Sequence, residues 1–284
     1  MQPLLTPSNH DRRIAGLKYI YPVISRRAGG LSIGVNFNTN NACNWRCIYC
    51  QVPDLKAGNA PEMDFDLLAE ELRYFLDEVL HGDFFRQYQL EPHLQSIKDI
   101  AISGNGEPTS LKSFAKAAVL IAEIATEFGI FPAAKFVLIS NGSLIHQLEV
   151  QKGLQIMANF NGELWFKLDS ATESGRKLIN NTGQNQKKLI DHLQIASSLI
   201  PTRLQTCMLH FQNQLWTQNE KQAYLTLLKT LQDKHIVLQS IMLYSIARQS
   251  LQPEAEQLSN PCIEEMQAFA EDIKALGLTV SVNV

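Results

Sequence analysis

Several features that would narrow the function of a chain are missing from this sequence. No apolar run approaches the roughly 18 residues that a membrane-spanning helix needs, and residues 1–13 lack the hydrophobic region of a signal peptide. The net charge is −3 at pH 7, so the chain as a whole has no basic signature of nucleic-acid binding. No internal repeat or low-complexity tract is present. We therefore expect a cytoplasmic globular protein with no membrane contact.

Cysteine is also scarce, and its distribution is uneven. Of five cysteines, three lie close together, at Cys43, Cys47 and Cys50, whereas Cys207 and Cys262 stand alone. An odd number with three in one short segment argues against a disulfide framework and favours a reducing compartment. With 284 residues, 45% hydrophobic and 19% charged, the composition is that of one α/β domain or two small ones with a substantial core.

The three clustered thiols can converge on one metal centre. A closed zinc site or a saturated iron–sulfur cluster normally needs four ligands, and no fourth cysteine lies nearby in the sequence. The spacing therefore indicates a metal centre with one open coordination position, which is the arrangement of a catalytic site. The alternative is a structural zinc site completed by a distant histidine, for which His10, His81 and His210 are the candidates.

A glycine-rich turn follows a second predicted strand, residues 97–103. Gly104, Gly106 and Glu107 end this strand, with Asn105 between the two glycines. Glycines at a strand end let the backbone approach a ligand closely, and a carboxylate there can bind a cation. The alternative is an ordinary turn from strand to helix. Because the glycine-rich turn occurs together with the cysteine motif upstream, we favour ligand binding.

The cysteine motif resembles the signature of the radical S-adenosylmethionine (SAM) superfamily. Cys43, Cys47 and Cys50 have the CxxxCxxC spacing, and Tyr49 stands in the aromatic place before the last cysteine. The resemblance implies that the three cysteines ligate a [4Fe–4S] cluster and that S-adenosyl-L-methionine chelates its fourth iron. It also implies that Tyr49 packs near the adenine of SAM.

The glycine-rich turn adds to this resemblance. In the family, a Gly-Gly-Glu-like segment after the second strand binds the amino group of the methionine part of SAM. The resemblance therefore implies a cofactor-binding role for Gly104, Asn105, Gly106 and Glu107. Asn105 departs from the short family form, which has glycine at that place, while the longer form with Glu-Pro-Thr matches well.

Residues 22–34 and 244–248 resemble one group of the superfamily, the wyosine-synthase-like iron–sulfur oxidoreductases, and the wider resemblance covers roughly residues 20–284. It implies that the reduced cluster cleaves SAM and that a 5′-deoxyadenosyl radical then abstracts hydrogen from a substrate. It also implies an electron donor such as flavodoxin or ferredoxin. The resemblance to this group suggests a tRNA base as substrate. Two observations argue against that substrate: the sequence has no basic RNA-binding extension and no second cysteine cluster. The alternatives are a peptide or small metabolite as substrate, or an iron–sulfur or zinc protein without SAM chemistry.

Polar residues follow two later predicted strands, residues 135–140 and 163–168. Asn141 follows the first strand and could touch the ribose or carboxylate of SAM, although Asn-Gly-Ser is also an ordinary turn. Lys167 and Asp169 lie two residues apart at the end of the second strand and share a face. Lys167 could meet the SAM carboxylate, and Asp169 a ribose hydroxyl or the substrate. The alternative is a salt bridge that closes the barrel mouth.

Two other positions leave alternatives open. Gln205 and Thr206 lie on opposite faces of a predicted strand, so at most one of them lines the interior. Cys207 is expected to be a buried core thiol. Arg248 could bind the carboxylate of SAM or of an acidic substrate, or could be a surface charge.

The order of elements is strand then helix, repeated about six times, which implies parallel strands with right-handed crossovers. We predict an open partial (β/α)6 TIM-like barrel of the radical SAM type over residues 31–284, after an N-terminal lead-in over residues 1–30. The predicted strands cover residues 31–37, 97–103, 135–140, 163–168, 203–210, 235–244 and 278–284. The predicted helices cover residues 65–80, 111–128, 145–159, 187–200, 219–231 and 262–276.

The lead-in is locally basic. We favour a solvated, partly irregular segment over a contact with an anion or nucleic acid. Its basic residues are Arg12, Arg13, Lys18, Arg26 and Arg27.

Overall fold

The computed structural model describes residue 5 and residues 15–25, 29–212 and 216–283. Its main feature is one eight-stranded sheet. The strands of this sheet are β1 (Ile20–Ser25), β2 (Gly30–Val35), β5 (Ile97–Ile102), β6 (Lys135–Ser140), β7 (Gly162–Lys167), β8 (Thr202–Cys207), β10 (Ser240–Tyr244) and β12 (Val280–Asn283). The two-residue strands β3 (Ala42–Cys43), β4 (Lys56–Ala57), β9 (His210–Phe211) and β11 (Leu258–Ser259) form two small ladders.

The sheet has the order β1-β2-β5-β6-β7-β8-β10-β12. Strand β1 is antiparallel to β2, and the later neighbours pair in parallel. The outer strands β1 and β12 do not pair with each other, so the sheet forms a curled half-barrel with an open side. This confirms the predicted open partial barrel.

Helices connect the parallel strands, as right-handed crossovers require. They are α1 (Phe65–Leu80), α2 (Phe84–Gln87), α3 (Phe114–Glu127), α4 (Leu148–Ala158), α5 (Glu173–Asn180), α6 (Gln186–Leu199), α7 (Gln218–Asp233) and α8 (Ile263–Lys274). Short 3₁₀ turns occur at Pro92–Leu94, Pro108–Ser110 and Ala255–Gln257.

Alternation along the strands separates the apolar core from the barrel interior. Ser32 and Gly34 of β2 line a cavity inside the barrel, as do Trp165 and Lys167 of β7. The residues that alternate with them along the strands belong to the large core that the sheet shares with the helices. These residues are Ile33, Val35, Leu164 and Phe166. The sheet is therefore packed against helices on its outer face and lined by mixed polar and apolar side chains on its inner face.

The helix boundaries follow local signals. Helix α1 has the predicted bounds, and the side chain of its N-cap Asp64 accepts a hydrogen bond of 3.0 Å from the Leu67 amide. Helix α3 begins three residues later than predicted, at Phe114, because Pro108–Ser110 forms a 3₁₀ turn first. Strand β10 begins five residues later than predicted, because His235 has a left-handed conformation with φ of 56°.

Besides the short helix α2 and the two-residue strands, two elements differ from the sequence analysis. Strand β1 lies within the segment that was expected to be a partly irregular lead-in, and it pairs with β2 from Ile20↔Val35 to Ser25↔Gly30. Helix α5 was missed altogether. Of the basic lead-in residues, Lys18 is described, and its amide donates a 2.7 Å hydrogen bond to Glu71. The other four, Arg12, Arg13, Arg26 and Arg27, lie outside the described residues.

Candidate active site

A cavity of about 330 Å³ lies inside the half-barrel, and the carboxyl ends of several strands contribute to its wall. Cys43, Cys47 and Cys50 all line it, and each is a half-buried free thiol. They lie on the loop that follows β2, called here the cysteine loop (residues 42–57). The structure therefore brings the three predicted ligands to one cavity.

The carboxyl end of α5 holds one side of the cysteine loop. The amides of Ile48 and Arg46 donate to the carbonyl oxygens of Ile179 and Asn180, at 2.8 and 3.3 Å. The C-cap residue Asn181 has left-handed backbone angles, and its side-chain amide donates to the Arg46 carbonyl at 2.8 Å. The last carbonyl groups of the helix thus find partners in the loop instead of in water.

Residues 248–254, which follow β10, hold the other side of the loop. The Ser250 hydroxyl donates to the Ile48 carbonyl at 2.8 Å. The Arg46 guanidinium donates two hydrogen bonds of 2.7 Å to the two carboxylate oxygens of Glu254. A bidentate pair restricts both side chains in orientation as well as distance. The cysteine loop is therefore fixed by two segments that are far from it in the sequence.

The donor groups around the thiols fit an iron–sulfur cluster. The Trp45 amide donates to Cys43 Sγ at 3.4 Å, and the Asn180 side-chain amide donates to Cys47 Sγ at 3.2 Å. Hydrogen bonds of this kind stabilise thiolate ligands of a cluster. Burial raises the pKa of both thiols, Cys43 and Cys47, to about 12. A bound cation is therefore what would hold these sulfurs as thiolates.

The zinc alternative receives no support from the histidines. Neither His81 nor His210 lines the cavity. His81 is exposed at the end of α1, and His210 Nε2 lies 3.2 Å from a carboxylate oxygen of Glu265. His10 lies outside the described residues. Within the described ranges, no three His, Cys, Asp or Glu side chains lie close enough to hold a single ion. A cluster imposes no such convergence, since each cysteine ligates a different iron.

The glycines of the predicted turn are required by packing. A Cβ atom on Gly106 would lie 1.9 Å from the carbonyl oxygen of Ala42, and one on Gly104 would lie 2.2 Å from Oδ1 of Asn36. Gly104 also has a φ of +154°, which L side chains rarely adopt. Both glycines line the cavity. They therefore let the turn approach the start of the cysteine loop, in addition to leaving backbone groups at the cavity wall.

Glu107 lies at the cavity wall and is 2% exposed. Its Oε1 accepts hydrogen bonds from the Thr109 amide and hydroxyl, at 3.0 and 2.5 Å, and from the Ser140 hydroxyl at 2.7 Å. Its Oε2 accepts one bond of 2.7 Å from the Asn141 amide. Burial raises the pKa of Glu107, although these hydrogen bonds favour its charged form. Because Oε2 accepts one hydrogen bond from the residues that the structure describes, it keeps acceptor capacity for a ligand.

The two predicted asparagines have different positions. Asn141 lines the cavity, and its side-chain amide donates to Asn44 of the cysteine loop at 2.9 Å. Asn105 does not line the cavity, and its side-chain amide donates to Asn41 at 2.7 Å. Asn105 thus bonds to the residue just before the cysteine loop, which gives the departure from the family glycine a structural role.

Lys167 faces the cavity beside two aromatic rings. Its ammonium group donates to the Tyr244 hydroxyl at 2.8 Å and lies 5.1 Å from the ring centroid of Tyr49. Burial acts to lower the pKa of Lys167, but Tyr244, Asp169 and Cys47 outweigh this and raise it. The cavity wall therefore carries a positive charge that is partly covered by tyrosine rings.

Asp169 is 1% exposed and does not line the cavity. Its Oδ1 accepts from the Cys207 amide at 3.0 Å, and its Oδ2 accepts from the Tyr49 hydroxyl at 2.5 Å and from the Asn180 side-chain amide at 2.7 Å. Burial, followed by the charge of Asp169, raises the pKa of Tyr49 well above its ordinary value, so the phenol stays protonated and donates. Asp169 therefore positions Tyr49 from behind the wall; it forms no salt bridge with Lys167 at the barrel mouth.

The sequence analysis considered two further residues of the wall, Gln205 and Cys207, and missed one residue that supports it, Asn180. Gln205 lines the cavity while Thr206 contacts Tyr224 on the outer face, which confirms that their side chains diverge. Cys207 is fully buried, as expected, but it also lines the cavity. Asn180 was not singled out, and the Asn-Asn pair that ends α5 is its one sequence signal, because asparagine favours left-handed helix ends.

The fold and the site together define a class of protein. A parallel half-barrel with three cysteines and a glycine-rich acidic turn at one cavity is suited to chemistry at a bound cofactor. A model of the radical SAM superfamily matches residues 37–214, which is more than half of the chain. The chain belongs to the radical SAM superfamily. Enzymes of this family use a [4Fe–4S] cluster and SAM and need an external reductant.

Solved structures support the fold. A radical SAM methyltransferase from Sphaerobacter thermophilus superposes with a TM-score of 0.61 at 13% identity, over 92% of this chain and 67% of that one. TYW1 with a lysine–pyruvate adduct bound superposes with a TM-score of 0.56 at 16% identity, over 87% of this chain and 74% of that one. A histidine-tagged anSMEcpe with bound AdoMet superposes with a TM-score of 0.52 at 14% identity, over 88% of this chain and 63% of that one.

A curated relative matches part of the sequence. GTPase Obg from Brachyspira hyodysenteriae (strain ATCC 49526 / WA1) is 30% identical over 159 residues, which is 55% of this chain. The chain spans 20% of the length of that protein. This sequence contains no GxxxxGK[ST] phosphate-binding motif. Within the described residues, no helix is long and apolar enough to cross a membrane.

Proposed function

We propose that Cys43, Cys47 and Cys50 hold the [4Fe–4S] cluster and that SAM binds in the same cavity, beside Glu107 and the backbone of residues 104–106. One observation carries this proposal: the three thiols, the two glycines and Glu107 all line one cavity. When bound, the cluster and SAM supply one-electron cleavage of a C–S bond of SAM, which yields a carbon radical for hydrogen abstraction from a substrate.

The side chains of the wall match the parts of SAM. Its ammonium group needs an acceptor, which Glu107 Oε2 provides, and its carboxylate needs a cation, which Lys167 provides. Tyr49 presents a ring at the cavity wall and is held by Asp169. Asn141 adds a polar side chain beside Glu107. The chain thus orients both ends of the cofactor with fixed groups.

An apolar cluster and the open side of the half-barrel adjoin the proposed cofactor site. Ala101, Val137, Trp165 and Met242 form an apolar cluster on the inner face of the sheet. Val23 of β1 and Asn283 of β12 also line the cavity, so it reaches the open side of the half-barrel. We propose that the substrate enters between these two edge strands, while the apolar cluster excludes water.

The proposal is tested by the product of SAM cleavage. The protein is reconstituted with iron and sulfide without oxygen, reduced with dithionite in the presence of SAM, and analysed by chromatography. We expect 5′-deoxyadenosine from the wild type and none when SAM is replaced by S-adenosylhomocysteine. A brown protein that forms no 5′-deoxyadenosine even with candidate substrates would contradict the proposal and favour an electron carrier.

Glu107→Gln is expected to weaken SAM binding. The substitution removes the negative charge that would face the ammonium group of SAM. It also places an amide N–H₂ group against the donors that now bond to the carboxylate, from Thr109, Ser140 and Asn141. A hydrogen bond to a charged group contributes about 1.5–3 kcal/mol, so the dissociation constant should rise roughly 10- to 100-fold. Equilibrium dialysis of the reconstituted protein with labelled SAM measures this change.

Glu71→Gln is the matched control for Glu107→Gln. Glu71 is also a buried carboxylate that accepts two backbone amides, from Lys18 and Tyr19, both at 2.7 Å. It does not line the cavity. We expect Glu71→Gln to lower stability without changing SAM affinity, and equal affinity losses in the two variants would contradict the assignment of Glu107.

The lysine–pyruvate adduct of the TYW1 structure raises a second candidate, a Schiff base with a 2-oxo acid. Among the described residues, Lys167 is the one lysine that lines the cavity. An imine needs a neutral amine, whereas Lys167 is held as an ammonium group by its tyrosine and carboxylate neighbours. We therefore expect no pyruvate adduct at Lys167 after borohydride reduction, and a mass increase on the peptide carrying Lys167 would contradict this.

The tRNA substrate suggested by the resemblance stays a prediction. It is tested by incubating the reduced protein and SAM with bulk tRNA and analysing the digested nucleosides by mass spectrometry. A new nucleoside that depends on SAM supports a tRNA base as substrate. Formation of 5′-deoxyadenosine with a small metabolite, and no change in tRNA, would overturn it.

A further inference from the structure

The last turn of α5 contacts a cysteine sulfur as well as the backbone of the cysteine loop. Asn180 is 1% exposed, and its side-chain nitrogen lies 3.2 Å from Cys47 Sγ and 2.7 Å from Asp169 Oδ2. The nitrogen carries two hydrogens, so it can donate to both groups at once. This residue lies outside both the cysteine motif and the glycine-rich turn.

The orientation of the Asn180 amide is determined by its neighbours. The Asp169 carboxylate only accepts hydrogen bonds, and Cys207 and Tyr49 hold it in place by donating to its two oxygens. Rotating the amide of Asn180 by half a turn would place its oxygen against Asp169 Oδ2, acceptor against acceptor. The N–H₂ group therefore faces the carboxylate, and its second hydrogen faces the Cys47 sulfur.

Backbone hydrogen bonds between the end of α5 and the cysteine loop hold the two segments together. The carbonyl oxygens of Ile179 and Asn180 accept from Ile48 and Arg46, on either side of Cys47. The helix end and the loop therefore cannot separate without breaking these bonds. These bonds hold the backbone of Asn180 beside that of Cys47, so the Asn180 amide lies within reach of the sulfur.

We propose that Asn180 is a positioning residue that sets the reduction potential of the cluster through its hydrogen bond to Cys47. The inference rests on the proposed ligation of the cluster by Cys47. An N–H group directed at a ligating sulfur withdraws electron density from the thiolate, which stabilises the reduced cluster and raises its potential. The same amide lies between the sulfur and the carboxylate of Asp169. The negative charge of Asp169 lowers the reduction potential, and the N–H group of Asn180 raises it. Asn180 thus makes the cluster easier for an external donor to reduce.

The test compares Asn180→Ala with Asn181→Ala in the full, reconstituted chain. Asn181 is the matched control, because its side chain bonds to the Arg46 carbonyl and not to a sulfur. Redox titration followed by electron paramagnetic resonance of the reduced cluster gives the midpoint potential. We expect a more negative midpoint for Asn180→Ala and no shift for Asn181→Ala. A wild-type midpoint in Asn180→Ala at full iron content would overturn the proposal.

A measurement on the wild-type protein removes any dependence on how the variants fold. With ¹⁵N in asparagine side chains, pulsed electron paramagnetic resonance should detect a nitrogen coupling to the reduced cluster, and this coupling should be lost in Asn180→Ala and retained in Asn181→Ala. No detectable coupling would overturn the proposal. Failure of the underlying ligation is distinguishable, because Cys47→Ala would then keep its full iron and sulfide content whatever the Asn180 result.

Discussion

Cys47→Ala is expected to abolish cluster binding and the formation of 5′-deoxyadenosine. The substitution removes one of three thiolate ligands. The other thiol that lines the cavity, Cys207, is fully buried, and burial raises its pKa, which disfavours the thiolate form needed for ligation. Loss of groups that only support a ligand already costs 10- to 100-fold in metal affinity or activity, so loss of the ligand itself should exceed about 100-fold. Iron and sulfide content, visible absorbance and product chromatography measure the effect.

Cys262→Ala is the control for this variant. Cys262 is an exposed free thiol at the start of α8 and makes no side-chain capping bond. Its replacement should leave iron content and product formation at wild-type levels. If Cys47→Ala retains iron, sulfide and product like Cys262→Ala, the assignment of the cluster ligands is wrong.

Gly106→Ala is expected to disrupt the join between the glycine-rich turn and the cysteine loop. The new Cβ atom would lie 1.9 Å from the backbone carbonyl of Ala42, next to Cys43, and 2.8 Å from the side chain of Asn38. A backbone atom cannot move aside like the end of a flexible side chain. Overpacking of this kind typically costs 1–3 kcal/mol, and we expect about 3 kcal/mol here. Urea denaturation of the chain, together with its iron content after reconstitution, measures the effect.

The matched control for Gly106→Ala is Gly183→Ala. Gly183 is exposed in the connection between α5 and α6, and a Cβ atom there meets nothing within 4 Å. Its replacement should change the free energy of unfolding by less than about 1 kcal/mol. Equal stability and equal iron content in both variants would contradict the close packing of Gly106 on the cysteine loop.

The sequence allowed most of the half-barrel to be predicted, because alternation and helical periodicity are local signals. Helix α1 has its predicted bounds, since an apolar stripe and the capping Asp64 coincide there. The cysteine motif and Glu107 could be found because their spacing along the chain is itself the signal. Their meeting at one cavity follows from parallel strands, whose carboxyl ends share one edge of the sheet.

The parts that were missed depend on tertiary contacts. Helix α5 is short and polar, and it is stabilised at its end by bonds to the cysteine loop, more than 130 residues before it in the chain. Residues 248–254 have no regular pattern, and their role is seen in bonds such as Ser250 to Ile48. Asp169 lies behind the cavity wall because the chain turns away after Lys167, which alternation cannot predict beyond a strand end.

We propose that three cysteines hold a cluster whose fourth iron is open to SAM. The most direct measurement is electron paramagnetic resonance of the anaerobically reconstituted and reduced protein, recorded before and after SAM is added. We predict the signal of a reduced [4Fe–4S] cluster that changes when SAM is added, because SAM binds one of its irons. A cluster signal that is indifferent to SAM, or a colourless protein that holds zinc, would contradict the account.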